Sequence, residues 1–410
     1  MRRILFITWD GPQVNYVESL FVPIFRALGA KGYHFDIVQF RWGSQESAEP
    51  LRRACADAGI GLRIHRILRW GGGAGAMATA IAGARHVRNA AAAFGSDILM
   101  PRSLMPALAL LAGRHWQQPI ICDADGLPAD ERVEFAGLAP DSMTYRLLRE
   151  IEATMLRRSD RVIVRTEAAR QILLARAGPT VASDRIHIVT NGRDHEHFAP
   201  LPADRRAAIR AELGVGQDTP LLVYAGSMGA QYRLPESVAL LAEVRRHRPG
   251  AKLLILTGSP ELVPQYLGPD GPSHVDAIVV RKVPPLMVAD LVASADVATA
   301  YRNPGYSMQA VLPIKIGEYL LCGTPVVGTA AVGNVKDVVD AGIFQDEGAG
   351  HEATAASIVD HIMGNEGLRS HAREIGVRHF SLDTAIKTYR DAICTVPGTK
   401  LKTVGVLNVR

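Results

Sequence analysis

The chain has 410 residues, of which 48% are hydrophobic and 21% charged, with a formal net charge of +5. That length exceeds what a single core absorbs, so two globular domains are expected. The charge is uneven, with 24 Lys+Arg against 18 Asp+Glu in residues 1–190 and 22 against 23 in 191–410. The excess is modest, and no zinc finger, aromatic nucleic-acid-binding motif or basic arm accompanies it, which argues against nucleic acid as a partner.

The opening "MRRILFITWDGP" begins like a signal peptide, but its apolar run breaks at Trp9 and Asp10. It reads as a first strand, too short for a secretory core. No later stretch approaches the roughly 20 apolar residues of a membrane span. Cys55, Cys122, Cys322 and Cys394 lack paired spacing and read as small buried groups in a reducing compartment, so a cytoplasmic protein is expected. Strand candidates then follow as "HFDIVQF", "DILMPR", "PIICDA", "RVIVRT" and "RIHIVT", separated by helical stretches such as "SMTYRLLREIEATMLRR". The Ala-rich "AGAMATAIAGARHVRNAAAAF" is compatible with a helix. Before it, "RIHRILRW" mixes basic and apolar residues; a solvated basic loop and a weak membrane-surface contact both fit.

A break falls at "VTNGRDHEHFAPLPADRR", where Asn191-Gly192 marks a turn and Pro200 and Pro202 discourage regular structure. Beyond it "PLLVYAG", "KLLILTG", "DAIVVRKV" and "DVATAY" resume the alternation. The expected architecture is therefore α/β, with two Rossmann-like, doubly wound parallel-sheet domains facing a central cleft. His195 and His197 in "DHEHF" lack a third ligand by spacing, and no metal is expected.

Two strand–turn–helix corners could hold an anion. In "VYAGSMGAQYRLPESVALL" an apolar strand runs into Gly226, Ser227 and Gly229, then Arg233, then a helix. Glycines permit close backbone approach, a helix start offers free N–H groups, and an arginine can grip a phosphate bidentately. An ordinary corner with a solvated arginine fits equally well. In "PIKIGEYLLCGTPVV", Lys315 falls near a helix start, where a cation is unfavourable unless an anion joins it. Glu318, one turn on, has the acceptor capacity for two sugar hydroxyls. Otherwise Glu318 merely complements the helix dipole while Lys315 reaches water.

The order of an Asn-Gly turn, "YAGSMG…R" and then P-x-K-x-x-E-Y-x-x-x-G-x-P-V-V resembles retaining glycosyltransferases of family 4 with the GT-B fold. The resemblance covers most of the chain and is most specific in the second half. It implies an acceptor-binding domain at 1–192 and a nucleotide-sugar-binding domain at 193–379, with a C-terminal helix of about 380–410 crossing back to the first. Glu318 matches the second glutamate of an E-x7-E motif, placed near the nucleotide ribose, and Arg233 falls where relatives carry a lysine on the diphosphate. The first glutamate would fall at Ala310, and Ser227 replaces a common arginine; Tyr306, Ser307 and Gln309 are the candidates for the missing polar contacts. Donor-binding candidates are Gly11, Gly226, Ser227, Gly229, Arg233, Arg281, Val283, Tyr306, Ser307, Pro313, Ile314, Lys315 and Glu318. Catalytic candidates are Asp123, Asp125, Arg233, Lys315 and Glu318. Asp123 and Asp125 end a strand in "CDADGLPADERVEF", resembling a D-x-R-G…E-R segment with Asp125 replacing the arginine; capping of local N–H groups explains them as well.

The implied reaction moves a sugar from a nucleotide-diphosphate donor to a glycan or lipid-linked acceptor, with no cofactor, in surface-polysaccharide, lipopolysaccharide or glycolipid assembly. A nucleotide-sugar 2-epimerase and a noncatalytic nucleotide-sugar-binding subunit share the pattern; a nicotinamide-dependent dehydrogenase lacks its glycine fingerprint here.

Overall fold

The computed structural model describes residues 1–12, 15–113, 115–333, 335, 339 and 343–396. The chain divides into two compact units, residues 1–189 with those from 386 on, and residues 190–385.

In the first unit seven short strands are laid down in parallel: β1 Arg2–Asp10, β2 Tyr33–Arg41, β3 Leu62–Arg66, β4 Ile98–Pro101, β5 Ile121–Asp123, β6 Arg161–Val164 and β7 Ile186–Ile188. They pair in the orders β3-β2-β1-β4 and β5-β6-β7. Bridges Leu99–Ile120 and Arg102–Asp123 continue one set into the other. Ile4, Leu5, Phe6 and Ile7 are fully buried, as expected for a parallel strand covered on both faces. The Ala-rich stretch forms one helix, Ala74–Phe94, closed by Gly95 at φ 62°. Its small residues let it lie close to the sheet, since a Cβ on Gly83 would sit 2.9 Å from the Phe40 ring.

One expectation changes here. Part of "RIHRILRW" is strand β3, paired in register with β2 rather than looped out. It is an edge strand, half-buried, and its charged residues obscure the apolar signal while guarding the edge against further pairing. Arg63 stacks over the Phe94 ring, and Leu68 and Trp70 just beyond the strand are exposed.

The second unit holds β8 Leu221–Ala225, β9 Lys252–Leu256, β10 Ile278–Arg281, β11 Val297–Ala300, β12 Val326–Gly328 and β13 Phe344–Asp346. All are parallel, in the order β10-β9-β8-β11-β12-β13. The three residues of β13 carry too little pattern to be seen in sequence. Each sheet reverses its strand order once, between β1 and β4 and between β8 and β11. In doubly wound sheets ligands bind beyond the strand C-termini at such a reversal. The terminal helix spans Leu382–Cys394, its residues from Ile386 on grouping with the first unit. Residues 397–410, included in the expected terminal helix, lie outside the described residues. Among the described residues no helix is long and apolar enough to cross a membrane.

Candidate functional site

The reversal in the second unit is framed by the loop after β8 and the loop after β11. Strand β8 ends at Ala225, whose N–H donates to Tyr319 Oη at 2.8 Å while that hydroxyl donates back to Ala225 O at 3.1 Å. Tyr319 thus clamps the helix Ile314–Leu321 onto the strand end. Pro313 caps that helix and Ile314 opens it, so the next side chain, Lys315, is delivered beside Gly226. Gly226 has φ 156°, and a Cβ there would lie 3.1 Å from Lys315 Nζ. A side chain at this position would be strained by its φ and would crowd the ammonium.

Lys315 Nζ is buried and has no hydrogen-bond partner among the described residues. It lies 4.2 Å from the Tyr224 ring centroid and 5.0 Å from that of Tyr232. Burial pushes its pKa down to about 7, helped by the Arg302 charge and opposed by Glu318. Arg302, two residues past β11, stacks over Tyr232 at 5.4 Å, and its Nε is also buried without a hydrogen-bond partner. Glu318 is bonded to Arg193 Nε at 2.8 Å, with both side chains largely covered. Burial raises the Glu318 carboxyl, and Arg193 pulls it back. Among the described residues this cluster brings Lys315, Arg302 and Arg193 together with one carboxylate, that of Glu318.

Arg233 behaves differently. It sits in the left-handed region at φ 43°, immediately before the helix Leu234–His247. Its guanidinium is bonded to Glu347 at 2.6 Å and Glu236 at 2.8 Å. With Glu236, Gln265 and Tyr266 it lines a cavity of about 250 Å³ that neither Lys315 nor Arg302 lines. Ser227 accepts the Tyr224 hydroxyl through its backbone carbonyl at 2.6 Å, and Gly229 closes tightly on Gln231.

Of the remaining candidates, Tyr306 is 47% exposed and Ser307 is fully buried. Ala310 is fully buried, and its methyl offers the site no polar group. Arg281 is exposed and donates to Val280 O, and Val283 packs against the core. His195 pairs with Glu196 at 3.3 Å, and among the described residues no group of three or more His, Cys, Asp or Glu could hold a metal.

In the first unit, Gly11 follows β1 and leaves room for Trp42, whose ring would be 2.6 Å from a Cβ there. Asp123 ends β5, is fully buried and is bonded to Arg165 at 2.7 Å. Asp125, at φ 52°, pairs with Arg102 at 2.5 Å. Both acids therefore belong to an ionic cluster at the strand ends, which also reaches Tyr389 through Arg165.

Sequence reasoning missed Arg302, Tyr224, Tyr232, Arg193 and Arg102. A signal existed for Arg302 and Arg102, since each follows a strand at the point where its sheet order reverses. Strand order, however, is not written in the sequence.

Residues 17–197 match the sequence profile of Glycosyltransferase Family 4. The chain is 29% identical over 277 residues to a D-inositol 3-phosphate glycosyltransferase of Xylanimonas cellulosilytica, covering 63% of this chain and 61% of that one. It is 26% identical to an alpha-maltose-1-phosphate synthase of Mycolicibacterium smegmatis, covering 57% and 60%. The matched region thus spans about three fifths of these relatives' length. Among solved structures, Anabaena HepE in complex with UDP superimposes with a TM-score of 0.72 at 14% identity, over 96% of this chain and 100% of that one. The same protein has been solved with UDP-glucose. The two doubly wound parallel sheets and the superposition show the GT-B fold, and the profile match and the named relatives show similarity to glycosyltransferase family 4.

Proposed function

We propose that the protein is a retaining glycosyltransferase moving a sugar from a nucleotide-diphosphate donor to a glycan or lipid-linked acceptor, in surface-polysaccharide, lipopolysaccharide or glycolipid biosynthesis. The observation that carries this reading is the buried ammonium of Lys315 beside Gly226, at the reversal of the second sheet, with no hydrogen-bond partner among the described residues. An anion there satisfies the ammonium, and the leaving diphosphate of a donor is such an anion. Stabilising the charge that builds on it is electrostatic preorganisation, usually the largest catalytic term. The UDP and UDP-glucose held by HepE support the same class of donor. Weak contact with a membrane surface, through Leu68, Trp70 and neighbouring arginines, suits a lipid-linked acceptor.

A melting assay with UDP, ADP and GDP tests donor binding. The matching diphosphate at 100 times its Kd adds about 2.7 kcal/mol of stability; no shift with any nucleotide removes the proposal. A buried alanine at 310, in place of the motif's first glutamate, favours one rival, a nucleotide-sugar-binding subunit without turnover. Donor with and without acceptor separates the readings: transfer needs both, a 2-epimerase converts donor alone, and a binding subunit converts neither.

Glu318→Gln follows from the same reading. Losing the carboxylate should raise the donor KM about tenfold. Glu318 is largely covered and paired with Arg193, so the substitution also affects folding. The variant should lose about 1–3 kcal/mol in urea unfolding as Arg193 loses its charged partner. Unchanged KM and stability would detach Glu318 from both roles.

A further inference from the structure

The donor's phosphates need cations, and among the described residues Lys315, Arg233 and Arg302 lie near the sheet reversal of the second unit. They are not in equivalent states. Arg233 is held by two carboxylates, Glu236 and Glu347, and His351 lies 3.2 Å from Glu236 in the same cluster. To grip a phosphate it must give up both partners, so the binding energy gained is offset by the bonds lost. Arg302 has no carboxylate partner among the described residues, and its Nε is buried without a hydrogen bond. It shares the Tyr232 ring with Lys315. Two like charges at one aromatic ring repel each other, and the Arg302 charge lowers the affinity of Lys315 for its proton, which the ring's electron-rich faces only partly offset. A bound dianion between them removes the repulsion and supplies the missing acceptor at once.

Position agrees with charge. Gly226 follows β8 and Arg302 follows β11, and these are the two strands between which the sheet order reverses. The backbone of Arg302 is fixed there by its N–H bond to Thr329 Oγ1 at 3.2 Å, so its side chain starts from a defined point. We infer that Arg302, ahead of Arg233, is the guanidinium that holds the donor's diphosphate together with Lys315, and that Tyr232 is the platform spacing the two cations. The inference rests on the reading of this site as a nucleotide-sugar site.

The test measures binding to wild type of UDP, ADP and GDP, then compares the tightest with its own nucleoside. Arg302→Ala should weaken the diphosphate about tenfold or more and the nucleoside less than twofold. Arg302→Lys should recover part of the loss, since charge returns without the bidentate fork. Arg233→Ala should weaken the diphosphate less than Arg302→Ala does. Melting of the unliganded variants is followed in parallel, and Arg302→Gln replaces the alanine variant if that one does not fold. If wild type binds and Arg302→Ala or Arg302→Gln binds the diphosphate within twofold of it, Arg302 does not contact the phosphates. Equal loss for nucleoside and diphosphate, or a larger loss with Arg233→Ala, overturns the assignment as well. A wild-type protein that binds none of the three diphosphates overturns both this inference and the functional reading.

Discussion

Lys315→Met should lower transfer by about 10²–10³-fold, the loss seen when one preorganised donor to a developing charge is removed. The same substitution should leave the unliganded protein at least as stable as wild type. A buried ammonium without a hydrogen-bond partner costs folding free energy. The faces of Tyr224 and Tyr232 return part of that cost. Methionine keeps the stem volume and leaves out the charge, so a net gain of about 1 kcal/mol is expected near neutral pH. The pH dependence separates this account from simple repacking. In the folded protein Lys315 has its pKa pushed down to about 7, whereas an unfolded lysine titrates near about 10.4. Between these values the unfolded chain binds more protons, so wild-type stability rises with pH on account of this group. The advantage of Lys315→Met should therefore be largest below pH 7 and shrink towards pH 10. Melting both proteins across that range reads it directly, and a constant offset would show that the charge is not the cause.

The same lowered pKa has a consequence for binding. At pH 8 the empty wild-type site is mostly neutral, and a bound diphosphate draws the proton back. Binding should take up about one proton, measured by titration calorimetry in two buffers of different ionisation heat. The uptake should vanish in Lys315→Met. Arg302, which helps to depress Lys315, is the residue whose repulsion is relieved on binding.

Much of the second unit was legible because its signals are local. "PLLVYAG" and "KLLILTG" are apolar runs ended by glycine, and "PIKIGEYLLCG" carries its own start and stop. Lys315 was singled out because one residue stood in the wrong place for a helix dipole, and the structure adds that its ammonium is buried. What sequence could not show was which charges meet. Arg193 is 125 positions from Glu318 and Arg233 is 114 positions from Glu347, so both pairings depend on how separate βα units stack. Arg302 looked like any loop arginine until the order of β8 and β11 put it, like Gly226, at the reversal of the sheet. Strand β3 was hidden for a different reason, since an edge strand tolerates the arginines that make a segment read as a solvated loop. Asp123 and Asp125 were found as a pair, but whether they serve chemistry or structure turns on burial.

That question has a large expected effect. Asp123 is fully inaccessible, bonded to Arg165 at 2.7 Å and 3.9 Å from Arg102 Nε. Burial pushes its carboxyl up, and Arg165 and Arg102 pull it back. Arg165 also donates to Val189 O and to Tyr389 Oη on the terminal helix, so the carboxylate sits at the centre of contacts from β5, β6 and that helix. Asp123→Ala leaves the Arg165 guanidinium buried without its anion. Removing one partner of a buried pair costs about 3–5 kcal/mol, because the surviving charge keeps its desolvation penalty. Asp125→Ala should cost about 1 kcal/mol or less, since Asp125 is 32% exposed and Arg102 retains Asp123 nearby. Urea unfolding of the two variants should show the midpoint falling far more for Asp123→Ala. Activity then decides the role. Asp123→Asn keeps shape and some hydrogen bonding, and if it folds as stably as wild type while transfer is lost, the acid acts in the reaction. If stability and transfer fall together, and the folded fraction accounts for the activity lost, Asp123 is a positioning residue that holds the strand ends and the terminal helix in place.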